Sequence, residues 1–404
     1  MNELVRNRAI GASSASASHR AASEMVLSTM ALSETKRMAR AHSAAVHSLA
    51  IDNIEHRYLL STGADISIQL YDLNNFEQTA TCSRQVAPTS QIAANTASTH
   101  TRLVSGIDWY PLDNGMFTTS SFDHTLRVWD AESMTEACQF DLESRVFSHC
   151  MSYTGGHALI AATDESAHIR LCDLRTGSFA QSLLAHHSGS MAAAWSPEQP
   201  FVLASGGIDG TLKLWDIRRA DSQLCSFGHS GDSEASPSDS SSTAIGGSVS
   251  SVLFTGDGGR VISMGSSGKV SVWSIASPDN PLVECQLSVS KGSNALSGST
   301  QMALTTATTR QATDYEMLFC PSGSNVIATI DIANGKQVAS LNSHFAPVLC
   351  VAWRPEHLEL YSSGADGNVL IWCPPVAEEL SEEQRQIRQD TWSGSDGDDV
   401  EEPT

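Results

Sequence analysis

Four times along the chain a histidine, a hydroxyl and a carboxylate recur in the same order: His42, Ser61 and Asp65; His100, Thr119 and Asp123; His186, Ser205 and Asp209; His344, Ser362 and Asp366. These are the parts of a charge-relay hydrolase, with a nucleophile, a base and an acid that orients the base. The repetition points elsewhere. An enzyme needs one such set, whereas four copies at fixed spacing suit buried polar networks that set local geometry. No GxSxG elbow accompanies them. The close histidine pairs, His186-His187 and His42 with His47, have no cysteine or carboxylate pair at ligand spacing, so no metal is expected. The glycine clusters Gly206-Gly207 and Gly258-Gly259 precede no helix with a Lys-Ser/Thr ending. No nucleotide cradle, and no other cofactor, is therefore expected.

The sets belong to a longer repeat. Each aspartate is followed six residues later by an aromatic: Asp65 by Tyr71, Asp123 by Trp129, Asp209 by Trp215, Asp366 by Trp372. Three degraded units end at Leu171-Cys172-Asp173, Val272-Trp273-Ser274 and Thr329-Ile330-Asp331. The seven unit ends are spaced 58, 43, 43, 58, 57 and 42 residues apart. The shorter spacings match the ~40–45-residue period of WD-repeat blades. The longer ones hold polar insertions, placed at about 83–99, 228–247 and 288–311. Within a unit, Leu212 and Leu214 alternate with Lys213, the period of a half-buried strand. The chain thus resembles the WD-repeat family over 25–377. The expected fold class is all-β, a seven-bladed propeller. A helical or disordered extension over 1–24 would precede it, and an acidic disordered tail over 378–404 would follow. Cys373-Pro374-Pro375 ends the last unit without a fourth strand, because proline cannot join a ladder. The apolar segment 25–32 is expected to supply that strand and close the ring. The fifth unit has Ser267 for its turn aspartate and Ile245 for its histidine, and is expected to be looser.

Composition narrows the partners. The 404 residues carry 24 basic and 45 acidic side chains, a net −21, which disfavours duplex nucleic acid. No apolar run reaches the ~18 residues of a membrane span. Nine scattered cysteines without a CxxC read as reduced thiols inside a cell. The tail from Glu378 has ten acidic and two basic residues around a lone aromatic, Trp392. It reads either as a solubilising tail or as a docking peptide anchored by Trp392.

One motif exceeds the repeat background. Trp215-Asp216-Ile217-Arg218 is a WDxR box, and Cys172-Asp173-Leu174-Arg175 is a weaker copy. Trp215 ends a third strand, so Arg218 should project from a rim loop, with Arg219 beside it. A guanidinium there offers forked donors to a partner. Longer segments carry a second resemblance: Arg57-Tyr58-Leu59-Leu60-Ser61, Trp109-Tyr110-Pro111, Ser121-Phe122-Asp123, Ser148-His149, and Lys213 through Ala220. With these and the unusual Cys172 in a tryptophan position, the chain resembles the Cockayne syndrome group A family, substrate receptors of cullin-4 ubiquitin ligases. That resemblance implies a non-catalytic nuclear receptor in transcription-coupled nucleotide excision repair. Its partners would be the adaptor damage-specific DNA-binding protein 1, the group B ATPase and the stalled RNA polymerase II assembly. Trp215, Asp216 and Arg218 would form the adaptor box, helped by Arg219, Arg175 and an N-terminal segment containing Leu4 and Val5. Phe122 and Ile208, at turn tips of the other rim, are candidates for a target surface. The alternative is a WD-repeat scaffold in chromatin or signalling, outside ubiquitin chemistry.

Overall fold

Seven small antiparallel sheets stand around one axis, each inner strand facing the centre. The structure is a computed structural model. It describes residues 27–40, 42–75, 77–78, 84–93, 99–152, 156–219, 222–228, 245, 247–287, 299–305 and 316–374. The chain is a seven-bladed β-propeller, with four strands in every blade. The second blade shows the plan. Val104–Trp109 is innermost, followed by Met116–Ser121, Thr125–Asp130 and Thr135–Asp141. The two middle strands are nearly all buried, because neighbouring blades cover both faces. That double burial explains their β-branched and apolar runs. The outer strand is half-exposed and reads as an alternation.

Closure uses two residues. Ala31–Leu32 pairs antiparallel with Val369–Cys373, Ala31 opposite Cys373 and Leu32 opposite Trp372. Within the expected 25–32 segment, Leu27 and Met30 instead join the core between the sixth and last blades, with Met317, Phe319 and Trp372. The seam between the last and first blades is also ionic. Arg354 donates to Glu359 at 3.1 Å and to Asn74 Oδ1 at 2.7 Å. Lys36 pairs with the same Glu359, and the Tyr361 hydroxyl donates to it at 2.7 Å. Arg354 and Glu359 are 2% and 1% exposed, so each charge depends on the other for its solvation.

Two expected insertions contain strands. In 83–99, Arg84–Val86 pairs in parallel with Lys36–Met38, and Ser90–Ile92 is the outer strand of the first blade. In 288–311, Ala303–Leu304 is the inner strand of the sixth blade. These strands are two or three residues long, too short for alternation to show, and their partners are distant in sequence. Residues 229–244, in the third expected insertion, lie outside the described residues, as do the 1–24 extension with Leu4 and Val5 and the tail with Trp392. In the fifth blade, Ile245 is 1% exposed and packs with Val249 and Trp273. Apolar contact thus occupies the histidine position, and Trp273 Nε1 still donates to Ser263 Oγ at 2.9 Å. Ser271, opposite Ser263 on the third strand, has a buried hydroxyl with no partner among the described residues.

Candidate functional site

The four repeated sets are closed networks. In the second blade His100 Nε2 lies 2.7 Å from Thr119 Oγ1, and Nδ1 lies 2.9 Å from Asp123. Trp129 Nε1 donates to the same hydroxyl at 2.8 Å. The fourth blade repeats this with His186, Ser205, Asp209 and Trp215, and the seventh with His344, Ser362, Asp366 and Trp372. The first blade has His42, Ser61 and Asp65, with Tyr71 replacing the indole. One proton order fits the three sets that carry a tryptophan: indole N–H to hydroxyl, hydroxyl to imidazole Nε2, Nδ1–H to carboxylate. Each hydroxyl is fully buried and committed on both sides, so no substrate carbonyl reaches it. Burial pushes Asp65, Asp123 and Asp209 up, but the hydrogen bond and charge of the facing histidine hold each below the usual carboxylate range. Asp366 is lowered against burial by the Asn368 N–H and by His344.

These networks stiffen the strands that carry the rim. In an antiparallel blade the first and third strands run the same way, so the loops after both open on one face. Arg218 follows the third strand of the fourth blade. Its Nε donates to Asp216 Oδ1 at 2.9 Å and its terminal nitrogen to Oδ2 at 2.8 Å. Its guanidinium carbon lies 5.0 Å from the centre of the Phe201 ring. The fork and the ring set its direction, while the side chain stays 60% exposed. The paired hydrogen bond lowers Asp216 and raises Arg218. Trp215 is buried at 3%, so it positions the loop from below and offers a partner no surface. Arg219 is exposed beside it. On the third blade Arg175 is 79% exposed, with its Nε 3.6 Å from Asp173 Oδ1.

Sequence reasoning missed a second fork. Arg57 Nε and a terminal nitrogen donate to Asp72 at 3.0 and 2.6 Å, and the guanidinium lies 5.0 Å from the Tyr58 ring. Arg57 immediately precedes the second strand of its blade, and Tyr58 stands opposite Asp72 in register. That register was the available signal. Arg57, Arg175, Arg218 and Arg219 thus share one face of an acidic protein. Phe122 and Ile208 lie in loops between second and third strands, on the opposite face. Phe122 meets Phe147 edge-on at 5.8 Å, and Ile208 is 41% exposed. Phe345, 92% exposed in the loop entering the seventh blade, belongs to that face and was also missed.

The WD domain, G-beta repeat family matches residues 94–130 and 335–373, and the Nucleolar protein 10-like, N-terminal domain matches 136–292. The chain is 28% identical over 412 residues to the WD repeat-containing protein ATCSA-1 of Arabidopsis thaliana, spanning 85% of this chain and 89% of that protein. It is 33% identical over 133 residues to the Ribosome biogenesis protein WDR12 homolog of Nematostella vectensis, 32% of this chain and 31% of that protein. It is 25% identical over 195 residues to the Radiation-sensitive protein 28 of Saccharomyces cerevisiae, 44% of this chain and 38% of that one. The likeness to ATCSA-1 thus spans nearly the whole chain, and the likeness to the WDR12 homolog about a third. The chain is thus a seven-bladed propeller that carries two matches to the WD repeat and is similar to ATCSA-1.

Proposed function

We propose that the chain is the substrate-recognition subunit of a cullin-4-type ubiquitin ligase acting in transcription-coupled nucleotide excision repair. The observation that carries this reading is the exposed Arg218 fork, aimed by Asp216 and Phe201 on the rim where the WDxR resemblance puts adaptor contact. The similarity to ATCSA-1 along nearly the full chain supports it. The subunit contributes no catalytic group. The arginine face docks damage-specific DNA-binding protein 1, and the face with Phe122, Ile208 and Phe345 meets a target in the stalled-polymerase and group B ATPase assembly. Ubiquitin transfer then gains from effective concentration at a nuclear site.

The matches to ribosome-biogenesis relatives and to a nucleolar domain favour a second reading, a scaffold in ribosome assembly. Affinity purification of the tagged full chain before and after transcription-blocking damage separates the two. Co-purified cullin-4 adaptor supports the ligase reading. Recovery of pre-ribosomal factors without the adaptor replaces it.

A further inference from the structure

The axis of the propeller is an open cavity of about 470 Å³, within the ~300–1,000 Å³ of ligand sites. It runs from Ser299 to a mouth at Asn53, Pro197 and Gly256, on the face that bears Arg218. Among the described residues its lining contains one carboxylate, Asp108, and no lysine or arginine.

Asp108 is an exception to the seven-fold pattern. It pairs with Thr118 on the second strand. Strand register places Ala50, Cys150, Ala194, Leu253, Ala303 and Ala352 at the equivalent position in the other six blades. Six apolar positions around one acid describe a charge placed by something other than blade architecture. The networks of buried hydrogen bonds do not absorb it. Its Oδ2 accepts from the Met151 N–H at 3.4 Å, a long contact, and Trp109 N–H is its other donor. Among the described residues no cationic side chain lies within ion-pair distance. Burial in the channel wall pushes its pKa up to about 7 against these two N–H donors. A carboxylate in that position gains from an incoming cation.

The surroundings specify the shape of that cation. Cys150, Ala194 and Leu253 line the channel at the level of Asp108, an apolar wall that suits an unbranched aliphatic stem. Ser48, Ser105 and Ser148 form a hydroxyl belt deeper in the channel. Asp108 is one residue inside the end of its strand, so a single long side chain reaches it from the mouth. We propose that the channel is a binding site for one lysine or arginine side chain of a partner protein, inserted from the Arg218 face with its cationic head on Asp108. The site is separate from the adaptor reading and does not depend on Arg218.

Calorimetric titration of the full chain with the capped peptide Ala-Ala-Arg-Ala-Ala, its lysine counterpart and its norleucine counterpart tests this. The arginine or lysine peptide binds and the norleucine peptide does not. Asp108→Asn weakens binding about ten- to hundred-fold, the range for a charge-assisted hydrogen bond. Arg218→Ala leaves it unchanged. Ala194→Leu, which narrows the channel without touching the acid, also abolishes binding and serves if Asp108→Asn does not fold. Absence of binding by both cationic peptides, equal binding of the norleucine peptide, full binding by either channel variant, or loss of binding in Arg218→Ala overturns the proposal.

Discussion

His149 makes acid stability a readout of the channel. It reaches from the third inner strand into the second blade, with Nε2 2.8 Å from Thr118 Oγ1 and Nδ1 2.9 Å from Ser120 Oγ. Burial lowers its pKa from 6.5 to about 4. A depressed folded-state pKa means that the unfolded chain takes up the proton first. Stability is therefore full above 6.5 and falls as pH drops toward 4. Between pH 7 and pH 5 the linkage relation makes this loss about 2 kcal/mol. Asp108 acts in the opposite sense. Its pKa is raised from 3.8 to about 7, so the folded state takes up the proton first and gains stability over the same window. The gain is at most about 2 kcal/mol, reduced by channel water. The two contributions oppose each other in the wild type. His47, His157 and His357, all lowered mainly by burial, add to the acid loss in every variant. Urea denaturation of wild type, His149→Gln and Asp108→Asn at pH 7 and pH 5 isolates each term as a difference. His149→Gln loses about 2 kcal/mol less than wild type on acidification, and Asp108→Asn loses up to about 2 kcal/mol more. A His149→Gln profile parallel to wild type would refute the buried neutral imidazole, whatever the stability of either protein at pH 7.

Three further outcomes follow from the packing. Trp215→Phe removes the indole donor to Ser205 and lowers stability by about 1–3 kcal/mol, read as a drop in thermal midpoint. Glu359→Ala leaves Arg354 buried without its counter-charge and costs about 3–5 kcal/mol in chemical denaturation; an unchanged midpoint would show that water reaches the seam. Deleting residues 1–33 exposes the Val369–Cys373 edge and promotes concentration-dependent aggregation in light scattering, whereas deleting 1–24 does not.

The repeat was legible because its parts lie close together in sequence. His100 and Asp123 are 23 residues apart and meet within one blade, so spacing reports contact. Trp215 and Arg218 were legible for the same reason, although burial divides their roles in a way that spacing cannot show. What escaped detection depended on contacts between distant segments. Ala303–Leu304 has two residues and no pattern of its own; its place is set by Phe319 and Leu318 opposite it. Arg84–Val86 reads as a polar insertion until Lys36–Met38 lies beside it. Arg57 needed the register that puts Tyr58 across from Asp72. Asp108 became exceptional only once the equivalent residue of every blade could be named.

The direct measure of the account is a titration of purified cullin-4 adaptor with the full chain and with Arg218→Ala. Removal of the exposed guanidinium should weaken binding by about 2–4 kcal/mol, a hot-spot loss, with circular dichroism and thermal midpoint unchanged. Equal affinity for the two proteins, or no adaptor binding by either, would contradict it.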